Sequence, residues 1–151
     1  MERAKQRRLS RTRLQRYTPY PKQLEFHNAP YRERLLIAAN QVGKTLAGAA
    51  EAAMHLTGQY PAGWQGKRFD RPITMLAGSE SYELTRDGVQ RLLVGPPAQQ
   101  EDWGTGYIPA ESIVDRALRS GVSNAIETLT VRHSSGGLSS LLFKAYEQGR
   151  G

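Results

Sequence analysis

Gly43-Lys44-Thr45 is the part of this chain best equipped for chemistry, and its surroundings decide which chemistry. The full stretch is Ala38-Ala39-Asn40-Gln41-Val42-Gly43-Lys44-Thr45. It follows the apolar run Leu35-Leu36-Ile37 and precedes a small-residue stretch from Leu46 to Leu56. A strand, a tight turn and a helix in that order point successive backbone N–H groups inward, where they bind phosphate oxygens. The helix that starts there adds the positive end of its dipole. Lys44 is then placed to reach the β- and γ-phosphates as a mobile point charge, and the Thr45 hydroxyl to hold Mg²⁺. The stretch reads as a phosphate-binding loop for a nucleoside triphosphate with Mg²⁺. The alternative is a strand–loop–helix connection with an incidental lysine. One position departs from the usual pattern. The first glycine, five residues before Gly43, is here Ala38, and alanine tolerates a positive φ poorly.

Hydrolysis needs more than a cradle. Mg²⁺ also wants a carboxylate at the end of an apolar strand, beside a group that orients the attacking water. None of the acidic positions has that setting. Asp70 follows Arg68-Phe69, Asp115 follows Ile113-Val114 in a stretch read below as a helix, and Glu101-Asp102 follows Gln99-Gln100. The sequence therefore reads as the N-terminal piece of something longer, able to bind ATP and to hydrolyse little of it alone. There is no cysteine, so disulfides and cysteine-based metal sites are excluded. His27, His55 and His133 are widely spaced, without a metal-ligand rhythm, and read as structural or solvent-facing. No apolar run reaches the ~20 residues of a membrane-spanning helix. The charged N-terminus lacks the apolar core of a signal peptide, which makes an intracellular location the default expectation.

Charge is concentrated at one end. Residues 1–16 hold seven basic side chains (Arg3, Lys5, Arg7, Arg8, Arg11, Arg13 and Arg16) against Glu2, so this arm carries +6 of the chain's +7. Two readings stand. The arm contacts a nucleic-acid backbone, with counterion release as its driving force. Or it is a solvated basic helix, or an arm that docks on an acidic surface.

These groups need elements to position them. Glu2 to Gln15 reads as a polar helix, broken by Pro19 and Pro21. Lys22 to Asn28 reads as a short helix, Arg34 to Ala39 as a buried strand, and Lys44 to Thr57 as an alanine-rich helix capped by Gly58. Ile73 to Ala77 is a second strand, Ser79 to Val94 a second long helix, and Pro109 to Ser120 a third. Thr128 to His133 alternates, Ser134-Ser135-Gly136-Gly137 is turn chemistry, and Leu138 to Phe143 returns as a hairpin partner. The loop residues Trp64 and Trp103 are expected to anchor on the core. Arg86 and Arg91 are expected to pair with Glu83 and Asp87 on a helix surface. The fold class expected is α/β, with a mainly parallel sheet like that of P-loop NTPases, incomplete, carrying a C-terminal β-hairpin and a basic N-terminal helix. One domain is expected at 151 residues. It would consist of the arm, 1–16, and a partial ATPase domain, 17–151.

Several separated motifs then resemble one family in its own order: the large subunit of tailed-bacteriophage terminase, a DNA-packaging motor. They are Tyr20-Pro21-Lys22-Gln23-Leu24-Glu25-Phe26-His27, Asn40-Gln41-Val42-Gly43-Lys44-Thr45, Pro61-Ala62-Gly63-Trp64, the Ile73 to Ser79 strand, and the hairpin ending Phe143-Lys144-Ala145-Tyr146-Glu147-Gln148-Gly149-Arg150. The resemblance covers the chain from about Tyr17. It implies that Gln23 reads adenine, that residues 38–45 cradle phosphates, and that Arg150 stands where some terminases place an arginine acting on a neighbouring subunit. It also implies double-stranded DNA, the small terminase subunit and the portal protein as partners of the intact protein, and the cytoplasm of the bacterial host as its location. Asn40 stands where the family often has an arginine beside the γ-phosphate. The acidic strand after the hairpin and the nuclease domain with its clustered acids are both missing.

Two other functions fit parts of the same sequence. A non-enzymatic DNA- or partner-binding module would use the basic arm and no nucleotide. Another P-loop motor, such as a helicase, would share the upstream glutamine and the loop.

Overall fold

The computed structural model describes residues 2–36 and 41–146, without the side chains of Gln41 and Val42. Three helices come first: α1 (Glu2–Arg11), α2 (Pro21–Asn28) and α3 (Gln41–Thr57). Strand β1 (Thr74–Ser79) follows. A continuous helical rod over residues 82–94 comes next, made of α4 (Tyr82–Thr85), a π-type segment (Arg86–Gln90) and α5 (Arg91–Val94). Two short 3₁₀ turns, Gln100–Asp102 and Ala110–Ser112, lead into β2 (Ile113–Leu118), β3 (Ile126–Arg132) and β4 (Leu138–Ala145).

The four strands form one sheet in the order β1-β4-β3-β2. Only β1 and β4 run parallel, from Thr74 opposite Ser140 to Ser79 opposite Ala145. The β3–β4 and β2–β3 pairs are antiparallel. The sheet is thus mixed rather than mainly parallel, because both of its short connections are hairpin-like turns and neither has room for a crossover.

Alternation explains the hairpin. Leu129 and Val131 on β3, with Leu141 and Phe143 on β4, are buried on one face, and Leu129 pairs with Leu141. The turn closes with the His133 N–H donating to the Gly137 carbonyl at 2.9 Å, and Gly136 takes φ +107°. Helix α3 lies on this face. Ala49, Ala50 and Ala53 are fully buried along it, and their small side chains let the helix sit close to β3 and β4. Met54, Leu56, Leu93, Ile108 and Ile126 fill the same core. Trp64 and Trp103 both bury against it, as anchors of their loops.

Helix α1 stops at Arg11 rather than Gln15, and α3 starts at Gln41 rather than Lys44, so residues 41–43 of the expected turn belong to the helix. Three further elements differ more. Residues 109–120 are not a helix: after one 3₁₀ turn they form edge strand β2, paired with β3 through two register irregularities. Ile113, Val114, Ala117 and Leu118 suit a helical face as well as a strand, and pairing to β3 decides between them. The turn back to β3 uses Gly121 at φ +87° and Asn124 at φ +59°. Residues 34–36 lie in no strand and Leu35 is exposed; the rest of the expected 34–39 strand falls outside the described residues. The helix expected from Ser79 begins at Tyr82, because Ser79 still pairs in β1 and Ser81 caps the helix by accepting from the Leu84 N–H at 3.1 Å. Buried Gln90 then joins the rod to the sheet. It accepts from the Ile126 N–H and donates to the Asn124 carbonyl, both at 2.9 Å.

Candidate functional site

The first turn of α3 carries Gly43, Lys44 and Thr45, and the side chains of Lys44 and Thr45 are half-buried. A helix start leaves N–H groups without intrahelical acceptors, aligned with the positive end of the dipole. Gln23 on α2 reaches this turn. Its Nε2 donates to the Gly43 carbonyl at 2.9 Å, while its Oε1 accepts from the Tyr20 N–H at 2.8 Å. The fold therefore brings Gln23 and Gly43 together across twenty residues of sequence. Ala38, Ala39, Asn40 and Arg150 fall outside the described residues, as do the side chains of Gln41 and Val42. Among the described residues, no group of three or more acidic, histidine or cysteine side chains is arranged to hold a metal ion.

Two turns further along α3, a carboxylate gathers the surrounding segments. Glu51 Oε1 lies 2.8 Å from His27 Nδ1 and accepts from Arg34 Nη1 at 3.1 Å. Its Oε2 accepts from Arg34 Nη2 at 2.5 Å and lies 3.2 Å from His55 Nε2. The outer ring nitrogens are matched as well: His27 Nε2 lies 2.8 Å from the Tyr17 hydroxyl, and His55 Nδ1 lies 2.9 Å from the Tyr60 hydroxyl. The Tyr60 oxygen in turn accepts from the Phe69 N–H at 2.7 Å. Every contact is satisfied when both histidines turn an N–H toward Glu51 and accept from a tyrosine.

Burial pushes the Glu51 carboxyl up, but hydrogen bonds from His27, His55 and Arg34 outweigh it and hold the group well below the usual carboxylate range. Burial, with smaller contributions from Tyr107 and Glu51, holds the Tyr17 hydroxyl above the usual phenol range.

Arg34 completes the frame. It donates to the Phe26 carbonyl at 3.1 Å and lies over the Phe26 ring at 4.7 Å, so it binds the end of α2 and α3 together. The loop after Tyr60 closes over His27, with the Trp64 ring centroid 5.0 Å from the imidazole. A Cβ at Gly66 would fall 2.6 Å from the His27 carbonyl oxygen, and glycine is what permits that approach.

The basic arm is not free. Arg3 pairs with Asp102 at 2.5 Å, Arg7 donates to the Glu101 carbonyl at 2.7 Å, and Arg11 pairs with Glu111 at 3.3 Å. Buried Ser10 donates to the Gly106 carbonyl at 2.6 Å, and Leu14 is in the core. Arg13 lies over the Tyr107 ring, and Arg16 donates back to the Leu9 carbonyl. Lys5 and Arg8 remain on the exposed face. Arg3 and Arg11 thus meet acids of the same chain.

The model of the family described as "Terminase large subunit, T4likevirus-type, N-terminal" matches residues 35–151. The chain belongs to the terminase large-subunit family. It is also 37% identical over 156 residues to the "Terminase, large subunit" of Salmonella phage P22, an alignment that takes in 91% of this chain and 31% of that protein. This terminase chain thus spans about a third of the length of the curated relative. No solved structure matches it significantly. The family match takes in Lys44, Thr45, Glu51 and His55, whereas Gln23, His27 and Arg34 precede it. No helix among the described residues of this terminase segment is long and apolar enough to cross a membrane.

The Glu51 cluster escapes a reading of the terminase sequence motif by motif. His27, His55 and His133 are all buried rather than solvent-facing, but only the Glu51–His55 spacing of four residues hinted at a contact. A lone glutamate within an otherwise apolar stretch of helix was the other available signal.

Proposed function

We propose that this chain is the ATP-binding part of the terminase large-subunit motor. MgATP would sit at the N-terminus of α3. Residues 38–45 would surround the phosphates, with Lys44 on the β- and γ-oxygens and Thr45 on Mg²⁺, while Gln23 faces the base. Bound ATP would supply the energy of translocation. The chain's own residues bind and orient it: backbone N–H groups and the dipole of α3 favour the anionic phosphates, and Lys44 adds a cation. Double-stranded DNA, the small terminase subunit and the portal protein are the partners proposed for the intact motor, working in the cytoplasm of the bacterial host. One observation carries this reading. The Gln23 amide is bonded to Gly43, in the same helical turn as Lys44 and Thr45.

The test is MgATP binding by the purified chain, followed by calorimetry. Binding that weakens at least ~tenfold in Lys44→Ala, about 1.4 kcal/mol, is the expected result. No binding by the wild type, or equal binding by the variant, would overturn the reading.

A further inference from the structure

We propose that Glu51 is a positioning residue for the first turn of α3: a single buried carboxylate that holds α2, the 31–36 segment and α3 in the arrangement from which Lys44 and Thr45 work. As a statement about ATP, this rests on the reading of that turn as a phosphate-binding loop.

Lys44 and Glu51 lie seven residues apart on one helix, hence on the same side and about 10 Å apart along the axis. Helix α2 is tied to α3 twice, by Gln23 to Gly43 at one end and by His27 to Glu51 at the other. Two ties fix the angle between the helices where one would leave a pivot. The described part of the chain that joins them is held at Arg34. Arg34, seven residues before Gln41, bonds α2 through the Phe26 carbonyl and α3 through both Glu51 oxygens. The segment entering the phosphate-binding stretch therefore starts from an anchored point.

Only a carboxylate suits the centre. Two imidazole N–H groups and two guanidinium N–H groups converge on its two oxygens, so every neighbour is a donor. An amide of the same size would set an NH₂ among donors and leave the guanidinium without its anion. The expected consequence is local loosening: α2 and residues 31–36 lose their tie to α3 while the β3–β4 core, to which Glu51 makes none of these hydrogen bonds, stays in place.

The experiment is hydrogen exchange on the whole chain, without nucleotide, at a temperature where each protein stays folded. In Glu51→Gln, the amides of residues 45–48, the first in α3 with intrahelical acceptors, are expected to exchange about tenfold faster through local opening, while β3 and β4 lose protection only by the amount that the fall in global stability, measured on the same samples, accounts for. In the same samples, MgATP affinity is expected to fall about tenfold. Unchanged exchange at 45–48, or loss of protection only across β3 and β4, would overturn the proposal and leave Glu51 as a general stability residue. If Glu51→Gln does not fold, Arg34→Lys replaces it. This variant keeps the charge, breaks the two-pronged contact, and is expected to give the same local pattern at about threefold. A wild type that fails to bind MgATP overturns the nucleotide reading alone, because the exchange result needs no nucleotide and still decides whether Glu51 positions the turn.

Discussion

Helix α1 and the junction of α2 with α3 both set arginine against carboxylate, yet they hold the fold by different means. Along α1, Arg3 and Arg11 meet Asp102 and Glu111 with both arginines and Glu111 about half or more in water and Asp102 about a quarter. Such pairs contribute about 0–1 kcal/mol each, because solvent screens them and ordering two long side chains offsets the attraction. At the junction, one carboxylate about nine-tenths buried serves Arg34 and two buried histidines. Removing one partner there strands the others away from water. Density of charge along the sequence is therefore a poor guide to where charge matters. The arm holds seven basic groups in sixteen residues, and the junction depends on a single acid.

The sharpest way to break this comparison is Glu51→Gln. Its expected cost is about 2–4 kcal/mol, from an unpaired guanidinium and mismatched donors. For a chain of this size that lowers the melting midpoint by very roughly 5–15 °C. Thermal unfolding followed by circular dichroism checks it. A drop no larger than ~2 °C would make the junction as weak as the arm.

Acid gives a second handle on the same carboxylate. Its folded pKa is depressed below its ordinary value of 4.5. The stability it contributes is thus fully present above that value and is lost as pH falls toward the folded pKa. The gap in melting midpoint between wild type and Glu51→Gln is expected to shrink as pH falls below about 4.5. A gap that holds its size down to about pH 3 would mean the carboxylate does not titrate with folding.

The same contrast explains what could be read in advance. The β3–β4 hairpin was legible because its alternation and its Ser134-Ser135-Gly136-Gly137 turn are local signals. The body of α3 was legible from its alanine-rich run, but it starts at Gln41, three residues before the expected Lys44. Strand β2 was not. As an edge strand it is exposed along nearly its whole length, so burial imposes no two-residue period on it. The mixed sheet follows from the same miss, since a strand taken for a helix removes one antiparallel pair. At the candidate site, Gln23 and Lys44 stood out as motif residues, but Glu51 did not. Its partners His27 and Arg34 lie 24 and 17 residues away, and only folding brings them together. The arm's charge was legible, and its partners were not. Asp102 is 99 residues from Arg3, and no pattern in residues 1–16 distinguishes an internal acidic loop from a phosphate backbone.

The smallest effects belong to the arm, and they locate what holds it. The arginine pairs are exposed, but Ser10 is buried and its hydroxyl donates to the Gly106 carbonyl. A Cβ at Gly106 would lie 2.5 Å from the Leu92 carbonyl oxygen, so that segment has no room to shift toward a shortened partner. Ser10→Ala therefore leaves a buried acceptor unmet and is expected to cost about 1 kcal/mol. Arg3→Gln, Arg7→Gln and Arg11→Gln combined are expected to cost less than ~1 kcal/mol in total, and less still in high salt. Urea unfolding at low and high ionic strength measures both. If the triple variant proves the costlier, the arm is held by its charges, and the partition between an exposed and a buried mode of using arginine fails on the α1 side. If Ser10 dominates, the arginines of α1 orient a helix that buried contacts already hold in place, and Lys5 and Arg8 are the basic groups of α1 left facing outward.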